Sequence, residues 1–137
     1  MAVTARTLQA CVRARQIVPW PTDCEFSLRY HRDDPLVVRL VAAGYEHLPW
    51  EIGRDLLADG LVGHAGYGDV RLWPESSPRG ELLLVVLAGD GGDATFELPA
   101  PAVRRFLART YRQVPRGAEA DLIDLDRLVA RLLAETP

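Results

Sequence analysis

From Leu8 onward apolar and polar positions alternate, with Leu8, Ala10, Val12 and Ala14 on one phase and Gln9, Cys11, Arg13 and Arg15 on the other. A period of two is the signature of a strand with one buried face. Pro19-Trp20-Pro21 ends it. A second alternation sets Phe26, Leu28 and Tyr30 against Glu25, Ser27, Arg29 and His31, and Asp33-Asp34-Pro35 predicts the turn after it. Residues 36–43 read as a third strand, Gly44 as a turn, and residues 47–52 as a fourth strand, which Pro49 assigns to an edge or a bulge. Four such strands in succession predict an antiparallel meander.

The period then changes. Residues 53–60 predict a short helix of about two turns, stopped by Gly60, and residues 61–68, with Gly63, Gly66 and Gly68, predict a flexible loop. A second group of strands follows at residues 69–74, 80–89 and 94–98, joined by turn-rich residues 75–79 and 90–93. The run Leu82-Leu83-Leu84-Val85-Val86-Leu87 is apolar on both phases, which predicts a central strand covered on both faces. After Pro99-Ala100-Pro101, Val103, Phe106, Leu107 and Thr110 recur at helical spacing, with Arg104, Arg105, Arg109 and Arg112 facing away. Pro115-Arg116-Gly117 breaks this helix. Asp124, as an N-cap, then opens a last amphipathic helix through Leu125, Leu128, Val129, Leu132 and Leu133. The expected fold class is α+β, with about seven mostly antiparallel strands, one short helix and two longer ones.

A chain of 137 residues, 48% hydrophobic and 26% charged, has the composition of one globular domain. Residues 1–6 are expected to be flexible. The longest apolar stretch is well short of the roughly 20 residues that span a bilayer, and Arg13 and Arg15 interrupt any N-terminal apolar region, so the expected compartment is the cytoplasm. Cys11 and Cys24 are expected as reduced thiols. All 16 basic residues are arginine, and the net charge of −3 is unlike the basic footprint of a dedicated nucleic-acid binder. Charge is uneven along the chain: six arginines face four carboxylates in residues 1–39, three face ten in 40–99, and seven face five in 100–137.

Chemistry is sparse. His31, His47 and His64 are too scattered for a metal motif, and no nucleophile elbow frames Ser27, Ser76 or Ser77, so neither a metal nor a cofactor nor catalysis is expected. The glycines of residues 63–68 follow a helix and precede a strand, the reverse of a phosphate-binding order, and read as a connecting loop. One pattern points to a surface. Arg13, Arg15, Arg29 and Arg39 all fall on the outward phase of the first three strands, so they share a face if those strands are neighbours. Such a face could take single-stranded nucleic acid or be ordinary surface paired across strands to residues such as Glu25.

The stretch Trp50-Glu51-Ile52-Gly53-Arg54-Asp55-Leu56-Leu57-Ala58-Asp59-Gly60-Leu61, followed by Gly66-Tyr67-Gly68-Asp69-Val70-Arg71-Leu72-Trp73-Pro74, resembles the SsgA-like sporulation and cell-division proteins of filamentous actinobacteria. The similarity extends to Leu28-Arg29-Tyr30 with Asp34-Pro35, to Phe106-Leu107 with Arg109-Thr110, to Val114-Pro115 with Gly117, and to Asp124-Leu125-Asp126. Ile52-Gly53 stands where the family has an aromatic and a small residue. The resemblance implies a whirly-like fold, a homotrimer, and a non-enzymatic adaptor recruited to division septa. It implies that an SsgB-type member brings the tubulin-like division protein FtsZ to future septum sites and that SsgA-type members help position it, so FtsZ or another SsgA-like protein is the implied partner. It also gives the motif residues two readings. Trp50, Trp73 and Pro74 are candidates for a subunit or partner interface. Arg54, Asp55, Asp69 and Arg71 are candidates for an ion-pair set fixing the short helix to the following strand.

Overall fold

The alternating N-terminal segments form β1 (Thr7–Val18), β2 (Thr22–His31) and β3 (Asp34–Ala42), followed by the short β4 (Trp50–Gly53). Each pairs antiparallel with the next, as a meander requires. The structure is a computed structural model and describes residues 7–122 and 132–134. Leu8, Val12, Ala14, Phe26, Leu28 and Tyr30 are buried, as the period-two pattern demands. Two boundaries differ from the pattern. Asp34 and Pro35 belong to β3, because the turn is made by Arg32 and Asp33, whose N–H donates to His31 Nδ1 at 3.0 Å; a proline near the start of a strand gives up little in the ladder. Residues 43–49 form turns around Gly44, at φ 89°, so the fourth strand begins only at Trp50.

Beyond it come α1 (Arg54–Gly60), β5 (Val70–Ser77), β6 (Gly80–Gly89), β7 (Gly92–Pro99) and α2 (Ala100–Gln113), with a 3₁₀ turn at Glu119–Leu122. Ser77 pairs with Gly80, so only Pro78 and Arg79 turn the chain and β5 runs three residues past its expected end. What reads in the sequence as two groups of strands is one sheet, in the order β4-β3-β2-β1-β7-β6-β5. The junction is β1 with β7, where Arg15 lies opposite Glu97 and Gln16 opposite Phe96, with a bulge before Val18.

The sheet is curled, because α1 packs on β3 and β4 at one edge and on β5 at the other. α2 lies on the concave face against β1, β6 and β7, and there inserts Val103, Phe106, Leu107 and Thr110. Each fully buried Leu or Phe of this core contributes about 1.5–3 kcal/mol relative to exposure. In β6 every residue from Leu83 to Leu87 is buried. Leu83, Val85 and Leu87 join the core, whereas Leu84 and Val86 are on the outer face, flanked by Trp73 and Glu97 and by Arg71 and Thr95. The strand is covered on both faces as expected, yet it is second from an edge rather than central. The helix expected from Asp124 lies outside the described residues, apart from helical residues 132–134.

Candidate functional site

α1 starts directly after β4, with Gly53 in extended conformation as its N-cap. Helical spacing then puts Arg54 on the same side as Leu57 and Leu61, the side that faces the core. Arg54 is accordingly 1% exposed, the largest fully buried side chain of the described residues. Its Nη1 donates to the carbonyls of Thr110 at 3.2 Å and Val114 at 2.7 Å, and its Nη2 donates to Glu119 Oε1 at 2.6 Å. Both carbonyls lie at the end of α2, where that of Thr110 also accepts the Val114 N–H at 2.9 Å. The guanidinium carbon also lies 4.2 Å from the ring centroid of Tyr111 and 5.2 Å from that of Tyr30. The other Glu119 oxygen accepts the Gly117 N–H at 2.8 Å. The bond from Arg54 above all, helped by backbone N–H groups, holds the Glu119 carboxyl below the ordinary carboxylate range.

Asp55 extends the same junction. It accepts the Tyr111 hydroxyl at 2.7 Å and lies 3.3 Å from Arg116 Nε, while Arg116 Nη2 reaches Asp59 at 3.2 Å. Burial, and then the bond to Asp55, push the Tyr111 phenol up. The expected ion-pair set of Arg54, Asp55, Asp69 and Arg71 therefore does not form. Arg54 and Asp55 tie α1 to α2 and the turn after it, whereas Arg71 pairs with Asp93 at 3.4 Å and Asp69 is exposed, its carbonyl accepting the Ala88 N–H at 2.9 Å. The reason is the pleat. Arg71 shares the outer face with Val86, whereas α1 packs on the inner face, where Gly60 abuts Leu72. Tyr30, Tyr111 and Glu119 were not among the sequence candidates. Their signal was Arg54 itself, a charge on the apolar phase of its helix, since such a group requires buried partners.

Trp50 lies opposite Leu40 on the inner face of β4, half-buried against the core. Trp73 lies on the outer face of β5, with the His64 ring stacked on it at 5.5 Å and 1°. The two tryptophans thus occupy opposite edge strands and opposite faces. Next to Trp73, the loop folds back: Ala65 and Leu72 exchange N–H and carbonyl bonds of 2.8 and 2.9 Å across the outer edge of β5. The next position presented to that edge is Pro74, which has no N–H to offer, so pairing stops there.

Arg13, Arg15, Arg29 and Arg39 do share one face, as expected. That face is interleaved with carboxylates. Arg13 stands opposite Glu25, Arg15 between Asp23 and Glu97, and Arg39 is held by Asp34 at 2.7 Å and Glu51 at 3.0 Å. Arg29 Nε donates to Ser27 Oγ at 3.2 Å. Gln9, Cys11, Ser27 and Val41 occupy positions between them, none aromatic. A groove of about 640 Å³ on this face is lined by Arg13, Arg15 and Arg79 but equally by Asp23, Glu25 and Glu97. Cys11 is on this outer face, Cys24 on the inner one; both are free thiols, and burial raises the pKa of Cys24.

Residues 24–119 match the family model described as "Streptomyces sporulation and cell division protein, SsgA". The sporulation-specific cell division protein SsgB of Salinispora tropica is 46% identical over 112 residues, covering 79% of this chain and 78% of that one. SsgB of Streptomyces coelicolor is 37% identical over 131 residues, with 94% and 93% covered. Among solved structures, the SsgA-like sporulation-specific cell division protein of Thermobifida fusca superposes with a TM-score of 0.80 at 31% identity, covering 96% of this chain and 98% of that one. A second, described by the words "Mutations in SsgB correlate to longitudinal cell division during sporulation of Streptomyces coelicolor", also gives a TM-score of 0.80, at 33% identity, covering 85% of this chain and 95% of that one. With the matched region spanning all seven strands except β1 and the start of β2, and including the whole Arg54 junction, the chain belongs to the SsgA family of sporulation and cell division proteins.

Proposed function

We propose that this protein is a non-enzymatic adaptor in sporulation-specific division, which helps to position or recruit FtsZ at septum sites. The observation that carries the reading is the run of SsgB relatives that match most of the chain. The protein would act in the cytoplasm and gather at septa. A tagged copy imaged through septation should form foci or ladders at future septa, and a pull-down with purified FtsZ should retain it. Diffuse signal throughout septation, with normal FtsZ ladders in a deletion strain, would sink the proposal.

A homotrimer belongs to the same proposal. Trp50 at one edge of the sheet, and Trp73 with Pro74 at the other, suit a head-to-tail contact in which one edge of a subunit meets the opposite edge of the next, and such contacts close into rings. Light scattering at micromolar concentration should give about three times the monomer mass; a strict monomer would refute it. The arginine face supports nucleic-acid binding less well. Carboxylates alternate with its guanidiniums, Glu25 and Asp23 opposite Arg13 and Arg15 and Asp34 bound to Arg39, and no aromatic is interleaved for bases to stack on. Fluorescence anisotropy with short oligonucleotides at low salt would reveal any such binding.

A further inference from the structure

The outer side of α2 presents Pro101, Arg105, Ala108, Arg109 and Arg112, all exposed. Burial of Val103, Phe106, Leu107 and Thr110 on the opposite side fixes that orientation. The helix contains no carboxylate. Arg104, at the flank of the stripe, is engaged by Glu81 at 2.9 Å, but Arg105, Arg109 and Arg112 have no ion-pair partner among the described residues. Elsewhere Arg39, Arg54, Arg71 and Arg116 each hold a carboxylate, while Arg13, Arg15, Arg29, Arg32 and Arg79 stand on strands and turns without an ion pair among the described residues. What sets the stripe apart is three such guanidiniums on one helix face. The stripe does not serve the helix either. Arg105 and Arg109 are like charges four residues apart and Arg109 and Arg112 three apart, spacings that weaken a helix, and only Arg112 sits in the last turn, where the dipole favours a cation.

We propose that this face docks an acidic, carboxylate-rich segment of a partner protein. From Arg105 to Arg112 the helix rises about 10 Å, a span that three carboxylates on successive turns of a partner helix would match. Arginine forks bind carboxylates through two parallel N–H bonds, so the stripe offers geometry as well as charge. The other chemistries fit less well. Ala108 and Pro101 are the uncharged side chains of the stripe, so it has no bulky apolar group to enter a bilayer, and it has no aromatic on which a base would stack. The inference rests on charge and placement alone and holds whether or not the partner is FtsZ.

The test uses the full chain and a fluorescein-labelled peptide with Glu at i, i+4 and i+7, read by anisotropy, beside a Gln-substituted peptide, an oligothymidine and phosphatidylglycerol vesicles. The Glu peptide should bind at low ionic strength and weaken with salt, since exposed charges are screened. The triple variant Arg105→Gln/Arg109→Gln/Arg112→Gln should bind about tenfold or more weakly, as the sum of three exposed pairs. Arg79→Gln, at an exposed hairpin turn, should bind as the wild type does. Glutamine is a good helix former, and circular dichroism checks that the variant is folded; if it is not, the single Arg105→Gln should still weaken binding by a factor of about two. The proposal is overturned if the Glu peptide fails to bind at low salt, or if the triple variant binds it as well as the wild type. It is equally overturned if only vesicles or oligonucleotide are bound, or if the stripe drives self-association without peptide binding.

Discussion

Replacing Arg54 by Met keeps a long flexible side chain in place and removes the charge and every N–H. Arg54 is 1% exposed, so no water stands ready to replace what it donates to Thr110, Val114 and Glu119. Breaking a buried ionic contact by removing the Arg54 side of it costs about 3–5 kcal/mol, against a total stability of roughly 5–15 kcal/mol for a domain. At roughly 3–4 °C per kcal/mol for a chain of this size, the Tm should fall by about 10–20 °C. Urea unfolding followed by tryptophan fluorescence should show the same loss as a lower midpoint with little change in slope. Arg54→Lys should fall between, because one ammonium has neither the planar fork to reach three acceptors nor the flat face for Tyr111. Arg54→Met with Glu119→Gln should recover part of the loss, since no unpaired charge is then left behind. If Arg54→Met unfolds within about 1 kcal/mol of the wild type, the claim that this residue clamps α1 to α2 is wrong.

Gly60→Ala should lose about 1–3 kcal/mol, because the new Cβ would lie 2.7 Å from the Leu72 Cβ in a strand that cannot recede; calorimetry reads it directly. Gly66→Ala should fray the Ala65–Leu72 bridge, since Gly66 sits at φ +87° and a Cβ would collide with the Val70 carbonyl oxygen; faster hydrogen exchange at the Leu72 amide would reveal it, and unchanged protection would refute it. Stability should fall at both ends of the pH range. Glu119, held low by Arg54, contributes stability that is complete above the unfolded carboxyl value of about 4.3 and is lost as pH drops through its lower folded value. Tyr111, pushed up by burial and then by Asp55, contributes stability that is complete below the unfolded phenol value of about 10 and is lost as pH rises towards its higher folded value. Urea midpoints across this range test both arms, and an acid arm of the same steepness in Arg54→Met would reject the Arg54–Glu119 assignment.

Strand phase was legible because a half-buried strand writes its burial into alternate residues, and β1, β2 and the inward positions of α2 follow it residue by residue. Strand ends were less so. Nothing local distinguishes Glu75-Ser76-Ser77 as strand rather than turn, because their extended conformation comes from pairing with β6. The joining of two meanders through β1 and β7 is a contact across some 80 residues of sequence, beyond any local pattern. At the candidate site the same limit applies. The sequence marks Arg54 as a charge among leucines, but its partners Tyr30, Thr110, Tyr111 and Glu119 come from strand, helix and turn far along the chain.

Several of the segments that carry the family resemblance converge on this one junction. Arg54 lies in the first motif, Thr110 and Val114 in the later one, and Gly117 donates to the carboxylate that completes the set. Residues far apart in the chain are thus required together for a mechanical reason: losing any acceptor would strand another buried N–H of Arg54, whose Nε already has none. These buried motif positions therefore specify how the helices close over the curled sheet and are hidden from any partner, whereas Tyr67 and Pro74 of the second motif are exposed. Whatever distinguishes this protein's contacts from those of its relatives must lie instead on exposed positions outside the motif's buried core. Arg105 and Arg112 on α2, Tyr67 beside the His64–Trp73 stack, and Tyr45 and Leu48 before β4 are such positions. Substitution there should leave the urea midpoint nearly unchanged, within about 0.5 kcal/mol, while changing partner binding. Substitution at the junction should do the reverse, lowering the midpoint and reducing binding only in proportion to the folded protein that remains.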